Sequence, residues 1–303
     1  MDHARLLIHG NPASLGAVTG TLFDSSERKT AIVEATSDSS HLVGQVIHHR
    51  NSRIARLSFL QMDDPASADG LPALVDFLSY QAGESQATNL LADMEGTPGL
   101  FETLRRSGFS AYGIETIWRL PKGQSQVSES DTAWRTSSGK NETAMRNLYQ
   151  NVTPPLEQSA EPCQMNSSNC MVHCSNDEIA AWVLYVSGPL GIYLVPVFHP
   201  SLKEPIALLR DLAGLFSNSP RPVYLQIRSH QSWLNPSLEE LGAQPSGQYT
   251  LLVKHLAVAQ KAAVINGQRV HADPRQAKPT VPIMRNLTPD APGGIKKRTK
   301  INN

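Results

Sequence analysis

The chain has 303 residues, with 27 Lys and Arg against 27 Asp and Glu, so its formal net charge is zero. This length suits two ordinary domains, each with its own core. The composition, 40% hydrophobic and 18% charged, is typical of globular proteins. Because there is no basic surplus of the kind that nucleic-acid-binding proteins carry, we expect no nucleic-acid partner.

The sequence also argues against membrane insertion and secretion. Polar residues interrupt the N-terminal segment MDHARLLIHGNPASLG, so no signal peptide is expected. No apolar run reaches the roughly 18 residues of a membrane span, and we expect no membrane partner. Three cysteines are few for this length and fit a reducing compartment, which predicts a cytoplasmic protein. Nothing in the sequence indicates the oligomeric state.

The first part of the chain predicts an antiparallel meander. The segment Leu15–Phe23 has apolar residues at spacings of three and four, which suit a short helix. Three strand patterns follow at residues 29–35, 42–48 and 53–60, separated by turns rich in Ser, Asp and Asn.

Residues 70–120 carry the clearest pattern, which predicts helix, strand, helix and strand. An apolar stripe at helical spacing runs from Leu71 to Leu78. A short strand is centred on Leu90 and Leu91. The second helix ends at Gly108, since glycine is the usual residue at that position, and a long aromatic strand follows.

The same plan is predicted to repeat later in the chain. Helices are expected at residues 142–149, 205–216 and 231–241, and strands at 169–174, 179–186, 191–198, 222–228 and 249–255. Three pairs of positions in the two halves are each 134 residues apart: Gly108 and Gly242, Leu91 and Leu225, and Leu74 and Leu208. A duplicated unit accounts for this constant offset.

The duplication sets the expected domain organisation. We expect a first domain at residues 1–122, a linker at 123–133 within a stretch rich in Ser, Gly and Gln, and a second domain at 134–257. Residues 258–303 are rich in Pro, Gly and Lys without periodicity, which predicts a disordered tail.

The segments Ala55–Leu60, Leu71–Gly83, Asn89–Glu95 and Phe101–Leu120 resemble the second half of a GNAT-superfamily N-acetyltransferase domain. Within them, Leu104–Phe109 is similar to the Gly-Phe signature that ends a helix in that family. The second half of the chain resembles a more diverged copy. The resemblance implies an α/β (α+β) protein with two tandem acyl-CoA N-acyltransferase folds, each a mixed, mostly antiparallel sheet flanked by helices. The first copy lacks its opening strand unless residues 4–9 supply it.

The resemblance implies that acetyl-CoA, or another acyl-CoA, binds where a strand leads into the next helix. Glycines and backbone N–H groups usually hold the pyrophosphate there. The first such loop runs from Gln61 to Gly70, with Asp64 and Ala66 at the two glycine-type positions. The second loop, residues 198–205, contains no glycine. The candidate cofactor-binding residues are Gln61, Gly70, His199 and Lys203.

The resemblance also implies where catalytic residues would lie. Many family members have a general-acid tyrosine four residues before the helix-ending glycine, where this chain has Leu104 and Leu238. Tyr112 lies on the following strand, where it acts as an acid or packs on the sheet as an ordinary aromatic residue. Asp93 and Glu95 alternate onto one strand face, as general-base candidates or as solvated carboxylates at a strand end.

Other chemistries have less support. The spacing of Cys163, Cys170, His173 and Cys174 differs from that of structural zinc sites, so no metal site is expected. The sequence contains neither a Gly-x-Ser-x-Gly elbow nor a Gly-x-Gly-x-x-Gly dinucleotide motif.

Two functions therefore stay open. The resemblance favours transfer of an acyl group from acyl-CoA to an amine of a small molecule or peptide. The missing glycines and tyrosines are typical of a degenerate active site, and they favour a non-catalytic module, descended from a duplicated domain, that binds a ligand or a protein. A structural partner of an active enzyme is a third alternative.

Overall fold

The secondary structure follows the order expected from the sequence in most of the chain. The computed structural model describes residues 2–10, 26–34, 41–50, 52–62, 70–96, 98–122, 132–163 and 169–256. These belong to one compact unit, Met1–Ala259, and Gln260–Asn303 form a second unit outside the described residues. The expected helix at Leu15–Phe23, Asp64 and Ala66 of the first loop, and the expected tail also lie outside the described residues.

Seven α-helices and eleven strands make up the described part of the chain. The helices are α1 (His3–His9), α2 (Leu71–Glu84), α3 (Pro98–Arg106), α4 (Glu142–Val152), α5 (Pro155–Ala160), α6 (Pro205–Leu215) and α7 (Asn235–Leu241). The strands of the first half are β1 (Ser26–Glu34), β2 (His41–His49), β3 (Ile54–Met62), β4 (Asn89–Met94) and β5 (Ser110–Arg119). Those of the second half are β6 (Arg135–Thr136), β7 (Cys170–Ser175), β8 (Glu178–Ser187), β9 (Ile192–Phe198), β10 (Val223–Arg228) and β11 (Gln244–His255).

Besides α5, which the sequence pattern does not predict, three elements differ from the sequence prediction. Residues 4–9 form α1 and not a strand, so they do not supply an opening strand for the first half. The helix expected at residues 231–241 is divided into a 3-10 segment, Ser229–Leu234, and α7, which has a proline in its first turn. The last strand begins at Gln244, ahead of the predicted start at Tyr249.

All eleven strands form one sheet in the order β1-β2-β3-β4-β11-β5-β10-β9-β8-β7-β6. The β1-β2-β3 meander is antiparallel, as predicted. The two halves exchange their last strands, because β11 of the second half pairs with β4 and β5 of the first half pairs with β10. The exchanged strands β5 and β11 also pair with each other at the centre of the sheet. Each half therefore contributes a strand to the other.

Alternation along β5 shows how the two faces of the sheet are covered. Trp118 packs into a core with residues of α6 and α7, and Leu252 of β11 packs on the same face with residues of α2 and α3. Ile117 points to the opposite face, where it contacts Ile8 of α1 and Tyr193. Helices α4 and α5 also lie on this second face. None of the helices in the described part of the chain is long and apolar enough to cross a membrane.

Each half contains a parallel strand pair whose hydrogen-bonded register is short. Strands β3 and β4 pair from Ile54 to Arg56, and β9 and β10 pair from Ile192 to Leu194. After these residues, the backbone groups of β3 that face β4, and those of β9 that face β10, no longer pair with the neighbouring strand and can form hydrogen bonds with other groups. We call the gap after Arg56 the first cleft and the gap after Leu194 the second cleft.

Candidate functional site

A cavity of about 780 Å³ lies on the sheet face that carries α1, α4 and α5. Its volume is in the range of small-molecule binding sites. Both halves of the chain line it, with apolar residues of β8 and β9 at one end and charged residues of β3, β4, β5 and β10 near its centre. The lining residues at this charged centre include His3, Arg56, Asp93, Glu115, Glu157, Glu161 and Arg228.

The start of α1 is fixed at the mouth of the first cleft. The Asp2 carboxylate accepts a hydrogen bond from the Arg5 backbone N–H at 3.1 Å, which caps the helix. The backbone N–H of Asp2 donates to the carbonyl of Ser58 on β3 at 3.2 Å. These contacts place the next residue, His3, in the interior, where it is only 4% exposed.

His3 lies between two buried carboxylates. Its Nδ1 is 2.9 Å from Asp93 Oδ2, and its Nε2 is 2.9 Å from Glu115 Oε1. The imidazole stacks on the Tyr249 ring with 4.0 Å between centroids. Burial opposes a charge on His3, but hydrogen bonding and attraction to both carboxylates outweigh it and raise its pKa from 6.5 to about 9. His3 is therefore an imidazolium at neutral pH.

Glu161, which follows α5, joins the two guanidinium groups of the site. It pairs with Arg56 and with Arg228, whose Nη2 is 2.5 Å from Glu161 Oε2. The hydroxyl of Tyr112 donates to the same carboxylate at 2.8 Å. Burial favours the neutral acid, but the two arginines lower the pKa of Glu161 to about 2. Glu161 is thus ionised across the physiological range.

Arg228 connects this group to the carboxylates deeper in the sheet. Its Nε is 3.0 Å from Glu115 Oε2, and its Nη1 is 3.8 Å from Glu157 Oε2. The Gln226 side chain donates to Glu115 at 2.6 Å, so Glu115 has partners on both carboxylate oxygens. His230 pairs with Glu157 at 3.1 Å.

Four carboxylates and three cations thus form one connected, largely buried group, the central charged cluster. Its members are His3, Arg56, Asp93, Glu115, Glu157, Glu161 and Arg228. Removing charges from water is costly even when they pair, so buried ion pairs are weak evidence of a stabilising role. A cluster with perturbed pKa values beside a cavity is more typical of a functional site.

His3, Asp93 and Glu115 also have residue types that bind metal ions, and their ligand atoms lie within 4.8 Å of one another. Metal binding requires a neutral imidazole. Here both ring nitrogens of His3 already face carboxylates, which hold its proton up to a pKa of about 9. At neutral pH the positively charged imidazolium of His3 therefore balances the two carboxylates that a metal ion would otherwise bind.

The structure separates the candidate catalytic residues predicted from the sequence. Asp93 is 2% exposed and lies in the central charged cluster, so the interpretation of Asp93 as a solvated strand-end carboxylate is wrong. Glu95 follows the end of β4 and is exposed. Tyr112 is buried, and burial, together with the Glu161 charge, raises its pKa well above 10. Its ring packs on the sheet while its hydroxyl is held by Glu161.

The candidate cofactor-binding residues lie near two different clefts. Gln61 is exposed towards the end of β3, and Gly70 precedes α2 on the first-cleft side. A Cβ at Gly70 would lie 2.6 Å from Leu42 Cδ1, so a larger residue there would displace the Leu42 side chain. His199 follows β9 with its Nδ1 2.6 Å from Ser201 Oγ, and Lys203 is exposed in the same loop.

Sequence reasoning missed most of the central charged cluster. Of the seven residues in this cluster, only Asp93 is among the candidate site residues predicted from the sequence. A signal was present, since Glu115 interrupts the apolar strand SAYGIETIWR and Arg228 ends the apolar strand VYLQIR. Charged residues are almost never fully buried unless they are paired, so each of these required a partner. The sequence does not indicate which residues those partners are.

Comparison with known proteins supports the fold. No protein-family model and no curated protein matches the sequence. A conserved protein of unknown function from Staphylococcus epidermidis ATCC 12228 is similar over 75% of this chain and 95% of its own, with a TM-score of 0.51 and 12% identity. A tandem GNAT protein from the clavulanic acid biosynthesis pathway matches 85% of this chain and 93% of its own, with a TM-score of 0.47 and 13% identity.

A GCN5-related N-acetyltransferase from Sphaerobacter thermophilus matches 81% of this chain and 87% of its own, with a TM-score of 0.47 and 11% identity. Solved structures similar to this chain thus include GNAT N-acetyltransferases, one of them a tandem protein. The predicted fold class is confirmed: an α/β protein with a large mixed sheet flanked by helices, in which the same order of elements occurs twice.

Proposed function

We propose that this protein is a GNAT-like N-acyltransferase, which transfers an acyl group from acyl-CoA to an amine in the central cavity. The main support is the short parallel pairing at each cleft beside a cavity with an ionised centre. Similar structures described as N-acetyltransferases make acetyl-CoA the first donor to test. The acceptor is a small molecule or a peptide that carries an amine, and the protein acts in the cytoplasm without nucleic acid or membrane.

Acyl transfer to an amine needs a group that accepts a proton. An alkylammonium acceptor first loses one proton to water. Its neutral nitrogen then attacks the thioester carbonyl and forms the C–N bond, a second proton leaves the nitrogen, the C–S bond breaks, and the CoA thiolate leaves and takes a proton from solvent. In this proposal the group formed by His3, Asp93 and Glu115 accepts the proton released from the attacking nitrogen: a carboxylate oxygen of the group takes it, and the neutral form of His3 bonded to that carboxylate receives it in turn. Asp93 and Glu115 orient the ring and stabilise the imidazolium that forms.

This role predicts the pH dependence of the reaction. Because the pKa of His3 is about 9, only a small fraction of His3 is neutral at pH 7, and this fraction grows as the pH rises. The rate should therefore rise from pH 7 towards pH 9. Gln61 and Gly70 lie next to the first cleft and are the proposed donor-binding residues of this half.

The second candidate function is a non-catalytic module that binds a ligand or a protein. This function is favoured because backbone groups in both clefts already form hydrogen bonds with other residues of the chain. The Asp2 N–H bonds to Ser58 in the first cleft, and the Gln231 side chain bonds to β9 in the second. The described part of the second loop, with His199 and Lys203, also carries no glycine. A module of this kind binds acyl-CoA or another ligand without turnover.

Calorimetric titration with acetyl-CoA, followed by a thiol-release assay with a panel of primary amines, separates the two functions. The transferase should bind acetyl-CoA, rise in melting temperature as ligand exceeds Kd, and release CoA only when an amine is present. His3→Gln should retain donor binding and show a shallower rise in rate towards pH 9, because only deprotonation of the amine then contributes, whereas His41→Gln, at an exposed position of β2 outside the cavity lining, should behave as the unmodified protein.

Binding without thiol release for any amine would support the non-catalytic module. If millimolar acetyl-CoA produced neither heat nor thermal stabilisation, the transferase proposal would be refuted.

A further inference from the structure

The second cleft contains a buried glutamine side chain. Gln231 lies in the 3-10 segment between β10 and α7 and is 3% exposed. Its Oε1 accepts a hydrogen bond from the backbone N–H of Phe198 at 3.0 Å, and its Nε2 donates to the carbonyl of Pro196 at 3.0 Å. Both partners are on β9, beyond the residues that pair with β10.

These two bonds imitate the pairing of a neighbouring strand. On one edge of a strand, the carbonyl of one residue and the N–H of the second residue after it point in the same direction. Val197 lies between Pro196 and Phe198, and its own backbone pairs with Trp182 on the opposite edge. The primary amide of Gln231 thus occupies the position that the peptide group of an extended ligand would need along β9.

The first cleft is built differently. The pairing of β2 with β3 shifts register between Gln45 and Val46, so that Ser58 is an extra residue on β3 and forms a bulge. At the first cleft the carbonyl of Ser58 accepts one hydrogen bond from the Asp2 N–H, whereas at the second cleft Gln231 bonds to both an N–H and a carbonyl of β9. The pairing of β8 with β9 is regular from Ala181 to Ser187, so the second half has no corresponding bulge.

We propose that Gln231 closes the second cleft, so that each chain binds one acyl donor, in the first cleft. This inference rests on the proposed function and assigns the donor to one half of the molecule. His3 and Asp93 border the first cleft, and the second half contributes Arg228 and the wall of the cavity. Gln231 is thus the residue that determines how many donor sites the chain offers.

The test is calorimetric titration of acetyl-CoA into the full chain and into Gln231→Ala. The unmodified protein should bind one molecule per chain, and Gln231→Ala should bind a second, more weakly. In the double variant Gln231→Ala with Lys203→Ala, the second site should weaken further, because Lys203 offers the positive charge in the loop after β9.

Gln158→Ala is the matched control. The Gln158 side chain likewise makes two hydrogen bonds to backbone groups, in its case to the carbonyls of Gln150 and Thr153, but it lies on α5 away from β9. This variant should keep one site per chain. A second site in both variants would contradict a specific role for Gln231.

Amide hydrogen exchange at Phe198 tests the same inference without relying on stoichiometry. The Phe198 amide should exchange about tenfold faster in Gln231→Ala, because it loses a buried acceptor. Acetyl-CoA should slow this exchange in the variant and leave it unchanged in the unmodified protein. A fast Phe198 amide in the unmodified protein would mean that Gln231 does not close the cleft.

The outcomes separate the inference from the proposed function. One site in the unmodified protein and one site in Gln231→Ala would overturn the closure and leave the transferase intact. Binding to Gln231→Ala alone would support the closure and refute donor binding by the unmodified protein. Two sites in the unmodified protein would overturn the inference, and no binding to either protein would overturn both.

Discussion

The charge of His3 makes a defined contribution to stability that should disappear at high pH. The pKa of His3 rises from 6.5 in the unfolded chain to about 9 in the folded protein. Between these values the folded state binds more protons than the unfolded state, so the free energy of unfolding falls as the pH rises. The contribution is complete below pH 6.5 and is lost by about pH 9. The difference in pKa corresponds to about 3 kcal/mol.

The assay is urea unfolding of the unmodified protein and His3→Gln at pH 6 and pH 9.5. Glutamine cannot carry the charge that pairs with Asp93 and Glu115, so the variant should be less stable at pH 6. The loss should shrink at pH 9.5 by at most about 3 kcal/mol, an upper value because it assumes that the two carboxylates titrate independently of His3. His9→Gln, which replaces an exposed histidine of the same helix, should show no such dependence.

An equal loss of stability at both pH values would refute this reasoning. It would mean that His3 is neutral in the folded protein and that its contribution comes from packing against Tyr249. NMR titration of the His3 imidazole would then give a midpoint near or below its ordinary value.

Two further predictions concern the remaining ion pairs and the exchanged strands. Glu161→Gln should lower the unfolding free energy at pH 7 by about 3 kcal/mol in urea unfolding, because it leaves Arg56 and Arg228 without their shared carboxylate. The pKa of Glu161 is about 2 in the folded protein, so its contribution to stability fades as the pH falls from 4.5 to that value. A loss of stability that persists at pH 2 would contradict this prediction. The two halves, residues 1–122 and 134–257, should each lack cooperative thermal unfolding by circular dichroism when they are expressed separately, because the last strand of each half pairs with the other half. Cooperative unfolding should return when the two halves are co-expressed. A stable isolated half would show that the strand exchange is not needed for folding.

Much of the fold was predictable because its signals are local. The stripe from Leu71 to Leu78 lies on the buried face of α2, and all six residues of β4 are buried. Helical periodicity and short apolar runs involve residues only a few positions apart, so they can be recognised in this sequence even though its identity to proteins of known structure is low. The constant offset between the halves is likewise preserved in the structure, since β4 begins at Asn89 and β10 begins at Val223.

The order of strands in the sheet was not predictable in this way. The apolar residues of β5 and β11 fit equally well beside either half, because both positions bury both faces of a strand. The register of Glu115 opposite Arg228 therefore depends on the packing of the whole molecule. Similarly, the hydrogen bonds of Gln231 to β9 depend on the 3-10 segment that replaces the predicted start of a helix.

Strand exchange also explains why the site lies at the centre of the molecule. Glu115 belongs to the first half and Arg228 to the second, and they are direct partners across β5 and β10. His3 reaches Glu115 from the first helix, and Glu161 reaches Arg228 from the end of α5. Without the exchange, β10 would not adjoin β5, and Glu115 and Arg228 would lose their shared register. The same pairings that join the halves therefore assemble the central charged cluster, so any variant that separates the halves should abolish ligand binding together with cooperative unfolding.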